Sequence, residues 1–241
     1  MNLPSKEHKE TFVKELFNSI AVKYDFLNTI MAFGMDNYWR RFAIKKADIK
    51  PDDKVLDICC GTGMMTREIA KIVGEKGEVI GLDFSEKMLK IAREKTSKFR
   101  YKERINFIQG NAMSLPFKEN TFDAVTVGWG LRNVPDITKV IGEMVRVVKP
   151  GKKIISIDMG KPEIPLFKEL YWIYFEKIIP LLGKLIAHKK DAYKYLYETS
   201  KAFPHQKELA KMFEENGLEK TVYYNLFGGV VAVVLGTKPK F

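Results

Sequence analysis

Apolar residues recur at Phe12, Val13, Leu16, Phe17, Ile20, Tyr24, Leu27 and Met31 with nearly helical spacing, so residues 9–34 read as helices laid over something else. From Val55 onward the pattern becomes short apolar runs separated by amphipathic stretches. It predicts strands over 55–58, 79–82, 105–109, 122–127 and 153–157. Helices are predicted over 64–73, after Ser85 as N-cap with Met88, Leu89 and Ile91 inside, and over 136–147, stopped by Lys149-Pro150-Gly151. Strands separated by helices of this length pair in parallel through right-handed crossovers. Two last runs, 219–224 and 230–235, read as an antiparallel hairpin. Between Met159 and Tyr197, Pro162, Pro165 and Pro180 punctuate an apolar stretch holding Phe167, Leu170, Tyr171, Trp172, Tyr174, Phe175, Leu185 and Ile186. The expectation is one α/β domain over 1–241, with a helical cap over 1–48 and a helical insertion over 160–200 that roofs a site or packs as core.

The run Val55-Leu56-Asp57-Ile58-Cys59-Cys60-Gly61-Thr62-Gly63 is a buried strand followed by a tight glycine turn that opens a helix, and Val79-Ile80-Gly81-Leu82-Asp83 is a second strand ending in a carboxylate. An open α/β sheet holds an adenosine in this way, with the glycines permitting close approach and Asp83 accepting from both ribose hydroxyls. Nicotinamide cofactors use the same layout, but a dinucleotide fingerprint requires a third small residue where Thr66 stands. Asp57 ends the first strand, where an acid takes the ammonium of a methionine moiety. The pattern therefore points to S-adenosylmethionine and to the Rossmann-like class I methyltransferase plan, a sheet closed by a terminal antiparallel hairpin. Asn111 and the Ala112 N–H, just past the third strand, suit the edge of an adenine. Arg132 and Asn133, beyond the fourth strand, sit where amino-directed nucleic-acid methyltransferases carry an acid or Asn followed by Pro-Pro and an aromatic, a motif that is absent here. An arginine there is a donor that stabilises an oxyanion or aligns water.

Composition changes this picture little. The 241 residues are 46% apolar, enough for one well-filled domain, and no run is long enough to span a membrane. The N-terminal Met1-Asn2-Leu3-Pro4-Ser5-Lys6 lacks a signal peptide's apolar core, so a cytoplasmic protein is expected. The two cysteines, Cys59 and Cys60, are adjacent and have no histidine nearby, which disfavours both a structural disulfide and a metal site. The charge of +11 invites nucleic acid or an anionic membrane as partner, but the lysines are dispersed among glutamates as on a solvated surface, and nucleic acid is not expected.

The whole chain resembles the quinone-biosynthesis C-methyltransferases, which methylate demethylmenaquinol or a ubiquinol precursor. The resemblance rests on Tyr24-Asp25-Phe26-Leu27-Asn28 through Gly34 and Trp39, on Gly130-Leu131-Arg132-Asn133-Val134, and on Arg146-Val147-Val148-Lys149-Pro150-Gly151. Pro180-Leu181-Leu182-Gly183-Lys184-Leu185, Tyr195-Leu196, Phe203-Pro204 and Asn225-Leu226 with Gly228-Gly229-Val230-Val231-Ala232 extend it. Cys59-Cys60-Gly61-Thr62, Gly81-Leu82-Asp83-Phe84-Ser85 and Gly110-Asn111-Ala112-Met113 are nearer the menaquinone branch. The resemblance implies cofactor positions at Thr62, Asp83, Asn111, Ala112 and Gly128, to which Asp57, Gly61, Gly63 and Phe84 are added, and an acceptor-side pair in Arg132 and Asn133. It implies no metal, a prenylated quinol as substrate with its tail against the aromatic insertion, and a homodimer. In this reading Arg132 and Asn133 hold the developing phenolate while Tyr24, Asp25 or Asp158 takes or relays the proton, and the basic surface serves peripheral contact with an anionic membrane. Departures fall on the acceptor side. Asp36 stands where the family has histidine, Asp158-Met159-Gly160 replaces Glu-x-Ser, and Val233-Val234 replaces His-Arg. A methyltransferase for another small phenolic or lipophilic acceptor is the alternative, and an RNA-binding methyltransferase is the more distant one.

Overall fold

The computed structural model describes residues 6–21, 24–182 and 190–240. Three helices, α1 (Lys6–Ile20), α2 (Tyr24–Met31) and α3 (Asp36–Ala47), precede a unit that alternates β1 (Lys54–Ile58), α4 (Met64–Ala70), β2 (Glu78–Asp83), α5 (Glu86–Ser97), β3 (Ile105–Gln109), β4 (Phe122–Gly128), α6 (Ile137–Val147) and β5 (Val148–Met159). After β5 come α7 (Pro165–Ile173), a π-helical turn (Tyr174–Ile178), α8 (Ile179–Leu182), α9 (Lys190–Ala202) and α10 (Gln206–Glu215). The hairpin β6 (Glu219–Leu226) and β7 (Val231–Thr237) ends the fold. Gly183, Lys184, Leu185 and Ile186 of the insertion lie outside the described residues.

The seven strands form one sheet in the order β3-β2-β1-β4-β5-β7-β6. β1 to β5 pair in parallel, and β7 runs antiparallel to both β5 and β6. Strand side chains alternate between two buried faces, which is why the central strands read as continuous apolar runs. Val55, Val79, Ala124 and Ile155 face one core with Trp39, Ala43 and Ile44 of α3 and Ile69 of α4. Leu56, Ile80, Val125 and Ile154 face the other with Ile141 and Met144 of α6 and Phe213 of α10. The strand order reverses between β1 and β4, so a crevice opens beyond their carboxyl ends, the usual ligand site of such sheets.

Two boundaries differ from the sequence reading. Lys149-Pro150-Gly151 does not separate α6 from a later strand, because β5 begins at Val148 and carries those residues inside it. Proline lacks the ladder N–H and Gly151 takes φ +76°, so the pairing with β4 slips between Phe122↔Val148 and Ala124↔Lys153. The helix expected to reach Val73 stops at Ala70, where Lys71 and Ile72 donate to carbonyls three residues back. Ser85 caps α5 as expected, its hydroxyl accepting from the Met88 N–H at 3.2 Å.

Four bulky or β-carbon-bearing residues beside the crevice take left-handed backbone. Cys59 (φ 52°) and Trp129 (φ 54°) follow β1 and β4, while Phe33 (φ 49°) lies in the turn after α2 and Phe227 (φ 47°) lies in the β6–β7 turn. Each conformation costs about 1–3 kcal/mol and persists only where surrounding structure enforces it.

Candidate active site

Two cavities share a wall at the head of β1 and β4. The smaller, of about 110 Å³, lies over β2 and β3 and is lined by Asp83, Phe84, Gly110, Asn111, Ala112 and Asn133. The larger, of about 380 Å³, lies toward α2, α3, α7 and the β6–β7 turn, with Asp57 and Thr62 at one end and Met31, Phe33, Trp39, Arg132, Tyr171 and Phe227 around it. Tyr24, Cys59, Gly61, Gly128 and Trp129 line both.

The turn between β1 and α4 is built for close approach. A side chain at Gly61 would project into open space within the shared wall. Gly130 lets the β4 loop lie against the β1 loop, since a Cβ there would fall 2.5 Å from that of Cys59. Asp83 is positioned by backbone donors: the Gly61 N–H reaches Oδ2 at 2.8 Å and the Ser85 N–H reaches Oδ1 at 2.9 Å. Burial raises its carboxyl, and those N–H groups oppose the rise. The Met113 N–H donates to Asn111 Oδ1 at 2.9 Å, and Asn111 Nδ2 donates to Glu10 on α1 at 3.1 Å. The α1 helix thus closes over this cavity, helped by Ser85 Oγ donating to Asn18 Oδ1 at 2.7 Å and by the Lys14 ammonium 5.3 Å from the centre of the Phe84 ring.

Asp57 is 1% exposed, with the hydroxyls of Thr66 and Thr126 donating to its two oxygens at 2.6 and 2.8 Å. Burial pushes its carboxyl up to about 6, and the two hydroxyls pull the other way. Between about pH 4 and 6 the folded chain therefore holds a proton here that the unfolded chain, at 3.8, has released. The associated stability is present below about pH 4 and is lost as pH rises through about 6, a cost of roughly 3 kcal/mol at neutral pH. A bound cation favours the ionised form. We expect the affinity for S-adenosylmethionine, measured calorimetrically, to fall by about tenfold per pH unit below pH 6. In Asp57→Asn this pH dependence should disappear, binding should be weaker at neutral pH, and the ligand-free protein should melt higher.

The acceptor-side residues divide between the cavities. Arg132 is 7% exposed and borders the larger one. Its Nη1 donates to Asp158 Oδ1 at 2.7 Å and to the Trp129 carbonyl at 2.8 Å, while Nε has no partner among the described residues. Burial works against its charge, and the Asp158 carboxylate more than restores it, so the guanidinium stays cationic. Asn133 borders the smaller cavity with Oδ1 buried and unpartnered among the described residues. Tyr24 stands between the two, its phenol raised by burial against the pull of Arg132, and is a neutral hydroxyl at neutral pH. Asp158 and Asp25 line neither cavity. Asp158 serves Arg132 and the Met159 N–H, and Asp25 ties α2 to Thr62 and to Lys95 of α5. Gly63 also lies outside both linings; at φ 75° it is the N-cap residue of α4. Burial, then Asp83 and Asp57, hold the Cys59 and Cys60 thiols protonated.

The sequence marked Asp36 only as a departure from the family's histidine and assigned it no role. Asp36 borders the larger cavity at 2% exposure, with Oδ2 accepting from Arg40 Nη1 at 2.6 Å and Oδ1 buried without a partner among the described residues. Arg40 in turn lies 5.0 Å from the centre of the Trp129 ring. The spacing of Asp36, Trp39 and Arg40 on one helix was the available signal, but it is equally that of a surface ion pair.

The ubiE/COQ5 methyltransferase family matches residues 5–238. This chain belongs to that family. A demethylmenaquinone methyltransferase of Desulfitobacterium hafniense is 51% identical over 98% of this chain and 93% of its own length. Those of Shouchella clausii and Bacillus cereus are each 45% identical, over 97% and 98% of this chain and 99% of their own. Among solved structures, a methyltransferase from Thermotoga maritima aligns with TM-score 0.67 at 20% identity, covering 94% of this chain and 99% of that one. One from Aquifex aeolicus aligns at 0.61 and 20% identity, covering 82% and 88%. The family member is an S-adenosylmethionine-dependent methyltransferase of class I fold. Its smaller cavity carries groups that suit a nucleoside: the open space at Gly61, the half-buried Asp83 carboxylate and the Asn133 oxygen that has no partner among the described residues. Among the described residues no cluster of potential metal ligands occurs, and no helix is long and apolar enough to cross a membrane.

Proposed function

We propose that this methyltransferase acts on a ring carbon of a reduced, prenylated naphthoquinol, converting demethylmenaquinol to menaquinol. The observation that carries this reading is Arg132: a buried, ion-paired guanidinium in the wall of an apolar, aromatic-lined cavity that meets the cofactor cleft. A cavity of about 380 Å³ falls within the usual range for small-molecule sites, and its lining suits a fused ring with the start of an isoprenoid tail.

Bound S-adenosylmethionine supplies an electrophilic methyl group. In this reading Asp57 holds its ammonium, Asp83 its ribose, and Asn111, Ala112 and Phe84 its base, while Gly61, Thr62 and Gly128 shape the passage between cavities. A hydroquinone carbon becomes nucleophilic when the hydroxyl beside it gives up its proton. The Arg132 guanidinium stabilises the resulting oxyanion, and Asp158 holds that guanidinium in place. Asn133, on the other side of the shared wall, fixes the turn through its Nδ2–H donation to the Trp129 carbonyl at 3.2 Å. The hydroxyl proton passes to the Asp36 oxygen that has no partner among the described residues, with the neutral Tyr24 hydroxyl available as relay. The methylated ring carbon then loses its own proton to restore the aromatic ring, the phenolate oxygen recovers the proton from Asp36, and one proton and the neutral thioether leave per turnover. Asp36 takes this role ahead of Asp25 and Asp158 because it alone of the three lines the cavity. The oxidised quinone has no hydroxyl to ionise and is not an acceptor.

Such a tail partitions into lipid, so the enzyme meets its substrate at a membrane surface, and a homodimer is the competing use of its exposed apolar face. A panel of naphthoquinols tests the reading. Reduced demethylmenaquinols in detergent should be methylated with kcat/KM rising from the tail-less ring to the first isoprene units, and the oxidised forms should be inert. Turnover of simple phenols with no preference for the prenylated naphthoquinol would overturn it.

A further inference from the structure

The methionine end of the cofactor carries an ammonium and a carboxylate besides the sulfonium. In the reading above the ammonium meets Asp57, and the carboxylate is left without a partner. A carboxylate brought between Asp57 and Asp83 meets like charges, so it needs a cation at the same end of the cleft. Among the described residues, three cationic side chains line the two cavities: Lys14, Arg40 and Arg132. Lys14 lies against Phe84 on the nucleoside side, and Arg132 is tied to Asp158 at the end of β5. Arg40 remains.

Arg40 stands on α3 and lines the larger cavity, whose cofactor end holds Asp57, Gly61 and Thr62. Its guanidinium lies 5.0 Å from the centre of the Trp129 ring, and Trp129 belongs to the wall that the two cavities share. Arg40 is thus near the junction where the methionine moiety must pass. Its charge reaches Asp57: burial raises that carboxyl most, the Thr66 and Thr126 hydroxyls lower it, and Arg40 adds a weaker pull in the same direction.

The donors of Arg40 are not spent. A guanidinium has five N–H donors in a planar fork. Nη1 donates to Asp36 Oδ2 at 2.6 Å and to Asn37 Oδ1 at 3.4 Å, while Nε and Nη2 have no hydrogen-bond partner among the described residues. An ordinary helical i,i+4 ion pair sits in water, which satisfies the remaining donors. Here both side chains are buried, Asp36 at 2% and Arg40 at 5% exposure, so donors left over want a partner from within the cavity. An arginine fixed through one nitrogen, with its other edge unused, matches the two oxygens of a carboxylate.

We propose that Arg40 binds the carboxylate of the methionine moiety of S-adenosylmethionine through Nε and Nη2, while Asp36 and the Trp129 ring hold the guanidinium in place. Asp57 and Arg40 then form a pair of opposite charges matched to the ammonium and carboxylate of one amino acid. The inference rests on the placement of that ammonium at Asp57, and it is independent of which acceptor is methylated.

The test is titration calorimetry at neutral pH on the full-length protein with two ligands, S-adenosylmethionine and its decarboxylated analogue, which keeps the nucleoside, sulfonium and ammonium. The wild type should bind the full cofactor about a hundredfold more tightly than the analogue. In Arg40→Met this preference should shrink to within about threefold, with affinity for the analogue little changed. Asp36→Asn keeps Arg40 and should keep most of the preference. Arg40→Met combined with Asp36→Leu removes both buried charges, so it keeps the test readable where the single variant does not fold, and it should lack the preference too. A wild-type preference surviving in both variants that lack Arg40 overturns the proposal, as does a wild type that binds the two ligands equally. Failure of the Asp57 placement shows separately. That placement predicts that Asp57→Asn weakens both ligands together, and unchanged affinity for both would overturn the placement and the proposal with it.

Discussion

Replacing Arg132 with methionine is expected to lower methyl transfer by about a hundredfold to a thousandfold while S-adenosylmethionine still binds within a few-fold of its wild-type affinity. The guanidinium borders the larger cavity and not the smaller, so in the proposed reaction its loss removes stabilisation of a charge that develops on the acceptor. The same substitution leaves Asp158, 2% exposed, as a buried charge without its partner, and stability should fall by about 3–5 kcal/mol. These two effects are separable. In the combination Arg132→Met with Asp158→Leu, both charges are gone and apolar volume fills the site, so most of the lost stability should return. Activity should not. Thermal denaturation beside single-turnover kinetics on the wild type and the two variants reads both quantities. Recovery of activity along with stability would mean that Arg132 serves the fold alone.

Asp83→Ala should weaken S-adenosylmethionine binding by about a hundredfold to ten-thousandfold, because hydrogen bonds to a charged acceptor contribute about 1.5–3 kcal/mol each and a ribose diol makes two. A further loss comes through the turn. The carboxylate accepts from the Gly61 and Ser85 N–H groups, and without it the glycine loop and the α5 N-terminus lose the group that holds them together. Asp83→Asn keeps one acceptor oxygen and should fall between wild type and alanine. Titration calorimetry on the purified variants measures this directly, and an affinity within threefold of wild type for the alanine variant would remove the ribose role.

The central strands were legible because they are buried on both faces and bounded by turns. Val55, Leu56 and Ile58 admit no other placement once Gly61 follows them. The start of β5 was not, because Pro150 and Gly151 ordinarily terminate an element, and only the pairing with β4 shows that the strand absorbs them in a register slip. That Asp57, Gly61 and Asp83 line the cavities was readable from local motifs, since the strand ends and the glycine turn put them there. The acceptor side depends on side-chain direction and on distant partners. Tyr24 and Asp25 are neighbours on α2, and successive residues of a helix point about 100° apart, so one enters the cavity and the other reaches Thr62. The partnership of Arg132 with Asp158 joins the turn after β4 to the end of β5, and no spacing rule announces it. Asp36 is set apart from a surface carboxylate only by its burial and its free oxygen, both properties of the folded chain.

The most direct measurement combines the protein with S-adenosylmethionine carrying a trideuterated methyl group and with chemically reduced demethylmenaquinone, and locates the label by fragmentation mass spectrometry. The account predicts a product three deuterons heavier in its ring methyl, formed only from the reduced quinone and lost in Arg132→Met. Label on a quinol oxygen, or equal labelling of the oxidised quinone, would contradict it.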